Sequence, residues 1–402
     1  MSIWGDGAFS RRTFTAASAA AAALASISLA GCGEAATPKK STGDPQVIED
    51  DSLITSALED YKGQDVGLFP VQSWTLPLGT VLFHSEGSWA AAMMTPEDAL
   101  HINTLGVLSL DSGSLTTLKM DPELGRGYSF FDVRCGSGVF AWVEIDYNTL
   151  DWTLLAQSFS GGALSGDPVK LDGGDKDWEP PMFSTAGSSV VWLKMPMATG
   201  SKSASDSLCH LWTVGDVEGT RIWTSQGRFA THPRISDGVL TITPRVRNDE
   251  GTYYGMTAID LGDGGKTQLD QLVLPASVRP FDAVYTGELF AFSIEASYES
   301  SGSLGNMGTF VGREGGPFVF FGREPSAQVA YSGSRFFIKT QSAHYMIDTA
   351  EQIIDTISSP DRSLDFGDYP ASEGHVSRFL TFATVRDARG VPSSVIARTF
   401  NV

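Results

Sequence analysis

The chain has 402 residues, 42% hydrophobic and 19% charged, with 28 Lys and Arg against 47 Asp and Glu for a formal net charge of −19. That supplies enough apolar side chain for a large core, and the acidic balance excludes nucleic acid as a partner, because phosphate binding needs a basic surface. Forty-three glycines spread among short apolar runs call for many tight turns, which favours an all-β chain.

Residues 1–31 read as an export signal. Arg11 and Arg12, with Phe14 two places on, open an uncharged Ala-rich run that ends in Leu29, Ala30, Gly31 and Cys32. This is a positive start, a mildly apolar middle and a small-residue cleavage site. It resembles a bacterial twin-arginine signal ending in a lipobox. Thr15 and Ala16 stand where the twin-arginine pattern has Leu and Lys, so the general secretory route stays open beside it. The resemblance implies that Cys32 is lipidated on sulfur and becomes the first mature residue, holding the protein to the extracytoplasmic face of the cell membrane. The run from Thr13 to Ala30 is short and Ala-rich for a transmembrane span.

Residues 32–65 are polar, with an acidic patch at Glu49 to Asp51, and read as a flexible tether carrying at most a short helix over Ser52 to Tyr61.

From residue 66 to 402 the chain repeats. A small turn followed by an apolar, β-branched or aromatic run recurs at Gly87, Gly138, Ser188, Gly238, Gly287, Gly333 and Ser377, at intervals of 51, 50, 50, 49, 46 and 44 residues. Several strands per period of this length mark a β-propeller, here predicted to be seven-bladed. The third unit predicts strands at 181–184, 190–193, 209–214 and 220–223, and the fourth at 233–235, 239–242, 255–259 and 266–269. The last unit ends after its third strand. Leu68 to Leu76 is therefore expected to supply the missing outer strand and cover an exposed edge.

The repeats resemble those of TolB-type and YVTN/PQQ-type bacterial propellers. Ser236-Asp237-Gly238 matches the turn such units place before their second strand, and Asp111 with Gly113 and Asp260 with Gly264 match the later turn. The Trp that quinone-binding repeats place after that turn is missing, so no cofactor is implied. What the resemblance implies is a fold and a scaffold role.

No G-x-S-x-G nucleophile motif occurs. The carboxylates of Asp172, Asp175, Asp177 and Glu179 have the hardness calcium requires, without an EF-hand spacing. The six histidines show no metal-binding spacing. Connections between second and third strands are long and polar, which makes the face they share with the blade-to-blade loops the preferred ligand face. Asp132, Glu179, His232, Arg279 and Asp282 stand at or near the starts of first strands and are the candidate ligand-binding residues. The expected function is a membrane-anchored lipoprotein that binds or scaffolds a protein or glycan through that face. The alternative is an extracytoplasmic hydrolase or lyase whose carboxylates converge on the channel.

Overall fold

A computed structural model describes residues 42–96, 98, 101–247, 251–295, 303–357 and 368–402. The signal residues Arg11, Arg12 and Phe14 and the lipobox Cys32 lie outside them. The regular secondary structure of the described residues is almost entirely strand, arranged as a β-propeller.

The third blade is built from Met182–Ala186, Ser189–Lys194, Ser207–Thr213 and Thr220–Ser225, paired antiparallel in chain order. In the fourth, Arg234–Ser236, Val239–Ile242, Tyr253–Asp260 and Gln268–Val273 repeat the plan. Second strands are packed on both faces, so they read as unbroken apolar runs rather than alternating ones. Every residue of Val139–Ile145 is buried. The core lies between neighbouring sheets: Met256 and Leu272 of the fourth blade pack with Phe290, Phe292 and Phe310 of the fifth. Phe292 and Phe310 stack with ring centres 5.2 Å apart.

The expected blade number is corrected from seven to six. Six sheets each take their four main strands from one continuous stretch of chain, starting at Thr80, Ser129, Met182, Arg234, Asp282 and Ala330. The seventh turn signal, at Ser377, does not open another such unit. After Asp368–Pro370 the chain leaves to pair Gly374–His375 in parallel with Ala330 and Tyr331 of the sixth blade. It then returns as Arg378–Arg386 and Pro392–Asn401. Gln72–Leu76 completes this closing sheet from the other end of the chain, antiparallel to Val395–Thr399.

The expectation of a tether over 32–65 is also corrected where the structure describes it. Residues 45–64 strap the rim. Pro45 bridges Val273, Ile54–Ser56 pairs in parallel with Phe318–Phe320 of the fifth blade, and Lys62–Gly63 pairs in parallel with Ile353–Ile354 of the sixth. Between them, Asp50 caps a short 3-10 turn by accepting from Ser52 N, and a single helical turn, Ala57–Asp60, follows. Ile48, Ala57 and Tyr61 are buried. The outer strand of a blade offers unpaired backbone groups, and a few spaced apolar residues in a polar segment are enough to seat it there.

Candidate active or binding site in the propeller channel

The innermost strands line the channel, and one repeat position on them carries most of its polar chemistry. His84, Arg134, Ser184 and Arg234 follow one another at intervals of 50 residues, Asp282 follows 48 residues later, and Glu373 stands two repeats on, a further 91 residues along. Each sits on or beside the first strand of its sheet, so the repeat itself gathers six side chains distant in sequence.

Arg234 is the hub. It is buried, its Nε donates to Asp282 Oδ1 at 2.8 Å, and one of its terminal nitrogens donates to Glu373. Asp282 is fully buried and its other oxygen accepts from Val329 N at 3.0 Å. One guanidinium thus joins the fourth and fifth blades to the closing sheet, and the Asp282 carboxylate reaches the segment entering the sixth. Burial alone would lower the Arg234 pKa, but Asp282 and Glu373 outweigh it and hold the group firmly charged. For Glu373 burial would raise the pKa; Arg234, backed by His84, Arg134 and His232, brings it down to about 2.

Arg134 forms a second, separate pair. It donates to Asp132 and to Val133 O, and its guanidinium lies over Phe83, 5.0 Å from the ring centre, and over Phe183 at 5.4 Å. Burial pushes the Asp132 carboxyl up against the opposing pull of Arg134.

Two imidazoles complete the site. His232 precedes Arg234 by two residues, and burial, reinforced by Arg234 and Arg134, drives its pKa from 6.5 down to about 3. His84 is lowered chiefly by burial. Both rings are neutral near pH 7, and among the described residues neither Nδ1 atom has a hydrogen-bond partner.

The two imidazoles, both guanidinium groups and Glu373 face a cavity of about 640 Å³ that opens at the starts of the first strands, with Asp132 and Asp282 behind them. Phe83, Phe281, Tyr369 and Phe382 give it aromatic walls; His84, Arg134, His232, Arg234 and Glu373 give it a polar floor. At the opposite end a cavity of about 580 Å³ is lined by Glu86, Thr185, Ser236, Asp237 and His375, and His84 borders both. There His375 Nδ1 lies 2.8 Å from Asp237 Oδ1.

Of the five sequence candidates, three come together around the channel: Asp132, His232 and Asp282. Glu179 does not join them; it pairs with Arg228, which also donates to Pro196 O at 2.5 Å. Arg279 is exposed and donates to Ala230 O at 3.3 Å. His84, Arg134, Arg234 and Glu373 were not singled out from the sequence. The 50-residue spacing of His84, Arg134 and Arg234 was the signal that could have found the first three. The acidic loop does not converge: Asp172 accepts from Lys194 Nζ at 2.6 Å and Trp192 Nε1 at 2.9 Å, Asp177 accepts from Ser201, and Glu179 faces Arg228. Among the described residues, no three His, Cys, Asp or Glu side chains are grouped so as to hold a metal ion.

No family model matches the chain, and no curated protein matches it in sequence. Similar solved structures exist. A prolyl endopeptidase aligns with 82% of this chain at 11% identity and a TM-score of 0.54, and this chain spans 47% of that one. A polysaccharide lyase, Uly1, aligns with 80% of this chain and 90% of its own length at 10% identity and a TM-score of 0.50. TolB from Acinetobacter baumannii aligns with 80% of this chain and 78% of its own, at 12% identity and a TM-score of 0.37. At these identities the first two likenesses show a shared fold, and a fold hosts many functions.

Proposed function

We propose that the chain is a lipid-anchored, extracytoplasmic binding protein of the bacterial envelope. Residues 1–31 act as its signal peptide and Cys32 as its anchor, and the propeller takes a protein or glycan partner at the face where the first strands begin. The observation that carries this reading is the cavity at that face. Its volume falls in the range of small-ligand sites, its walls are aromatic, and its polar groups converge from separate stretches of chain. Lipidation has a direct test: mass spectrometry of the membrane form should show a chain beginning at modified Cys32. An unmodified chain beginning elsewhere, or a Cys32→Ala protein that stays anchored, removes the anchor. Binding is tested by pull-down from membranes with the intact lipoprotein. A partner captured by the wild type should be lost when the cavity mouth is plugged by Val81→Trp; a partner held equally by both moves the binding surface elsewhere.

A second reading is an enzyme acting on envelope polymers. It is favoured by one observation: the two channel carboxyls Asp132 and Glu373 are pushed in opposite directions, one up and one down, as acid and base partners need. Incubation with envelope polysaccharides and peptides should then release new reducing ends, unsaturated ends or amines, and Asp132→Asn should abolish the release. Product formation unchanged in that variant eliminates the Asp132 and Glu373 pair as its source.

A further inference from the structure

We infer that the ligand of this cavity is an uncharged, hydroxyl-rich sugar end that inserts between the aromatic walls and meets the two imidazoles at the floor. The inference rests on the binding reading above and narrows it to one class of ligand.

The argument is one of charge and hydrogen-bond accounting. Two guanidinium groups and three carboxylates stand around the floor, and each is already engaged. Arg234 is shared by Asp282 and Glu373, while Arg134 is paired with Asp132. An acidic ligand would find no uncommitted cation, and would bring its charge up to three carboxyl groups. A basic ligand would have to draw Asp282 or Glu373 away from a buried guanidinium. Breaking a buried pair leaves a desolvated charge without compensation, a severe penalty. Charged ligands of either sign are therefore disfavoured by the groups already in place.

What the floor does offer is neutral. The imidazoles of His84 and His232 line the cavity, and their Nδ1 atoms have no partner among the described residues. Buried polar atoms of this kind are ordinarily satisfied. A polyhydroxylated ring carries donors and acceptors on adjacent carbons and can meet an imidazole in either tautomer. Above the floor, Tyr369 and Phe382 lie with ring centres 6.5 Å apart, and Tyr369 is 50% exposed, which leaves ring surface to receive a sugar face. An alternation of apolar walls and neutral polar atoms suits the two-sided character of a pyranose: C–H groups on one face, hydroxyls at the rim.

The test is calorimetric titration of the full mature chain in detergent with three oligosaccharide sets of matched length: uncharged glucose, mannose and N-acetylglucosamine oligomers; uronic acid oligomers; and glucosamine oligomers. An uncharged set should bind and the charged sets should not. Tyr369→Ala should weaken binding about tenfold, the effect of losing one aromatic contact of roughly 1.4 kcal/mol. His232→Gln should weaken it less than His232→Leu. Tyr369 is half exposed, so its substitution leaves the fold intact and a thermal melt checks this. Preferential binding of uronic acid or glucosamine oligomers overturns the inference, as does binding of uncharged sugars that ignores both substitutions. If Val81→Trp abolishes capture of a membrane partner while no uncharged sugar binds, this inference fails and the binding reading stands. If Val81→Trp leaves capture untouched and no sugar of any set binds, both fail.

Discussion

Arg234 sets the energetics of the channel, because its removal leaves Asp282 and Glu373 buried without a counter-ion. Arg234→Met should cost about 3–5 kcal/mol in denaturant unfolding, and adding Glu373→Gln to it should recover part of that loss. A double variant no more stable than the single one would show that the two groups are not coupled. The same residues make stability fall in acid. His232 binds its proton at about pH 3 in the folded chain and near 6.5 when unfolded, so between those values the unfolded state holds more protons and stability drops as pH falls. Glu373, held down at about 2 from 4.5, contributes stability that is complete above about 4.5 and lost as pH falls toward 2. The two losses share a sign. Stability should be flat near neutrality and decline from about pH 6.5 downward, and His232→Gln should flatten the upper part of that decline in a series of melts.

At the scale of elements, the strap of residues 45–64 covers the outer strands of the fifth and sixth blades. A chain starting at Val66 loses the packing of Ile48, Ala57 and Tyr61 and uncovers the edges of Phe318–Phe321 and Ile353–Ile357. At about 1.5–3 kcal/mol for each large apolar side chain re-exposed, it should melt several degrees below a chain starting at Thr42 and aggregate more readily. Equal melting temperatures would show that the strap adds no stability. A second element depends on close approach. Gly113 has φ +74°, and a Cβ there would fall 1.9 Å from Trp74 Cδ1 on the strand that completes the closing sheet. Gly113→Ala should therefore cost about 1–3 kcal/mol, from the turn conformation and the displaced indole together.

For the molecule as a whole, the decisive feature is that the closing sheet takes strands from both ends of the chain. Removing Gln72–Leu76 exposes the edge of Val395–Thr399 and the packing around Trp74 and Leu76. A chain starting at Pro77 should aggregate or fail to accumulate, measured as soluble yield against the chain starting at Val66. Comparable soluble yields would mean that the ring closes without this strand. Because the same channel network joins the fourth and fifth blades to the closing sheet, thermal unfolding of the intact chain should be a single transition when followed by both tryptophan fluorescence and far-ultraviolet circular dichroism.

Strand position and fold class were legible in the residues themselves, because they depend on local pattern. Val239–Ile242 is the predicted second strand residue for residue, and the four strands of the third blade lie within two residues of expectation. An apolar run between turn residues has few alternatives once it must be buried on both faces. Three further things were decided only in three dimensions. Seven turn signals did not become seven blades, because whether a strand joins its own sheet or its neighbour's depends on which edge is free, as Gly374–His375 shows. The polar segment 45–64 reads as a tether since its few apolar residues have value only against the edges waiting for them. The channel site was half hidden for a related reason: Glu373 is an unremarkable carboxylate in its own stretch of chain, and becomes the partner of Arg234 only because closure of the ring brings residues 139 positions apart into one hydrogen bond.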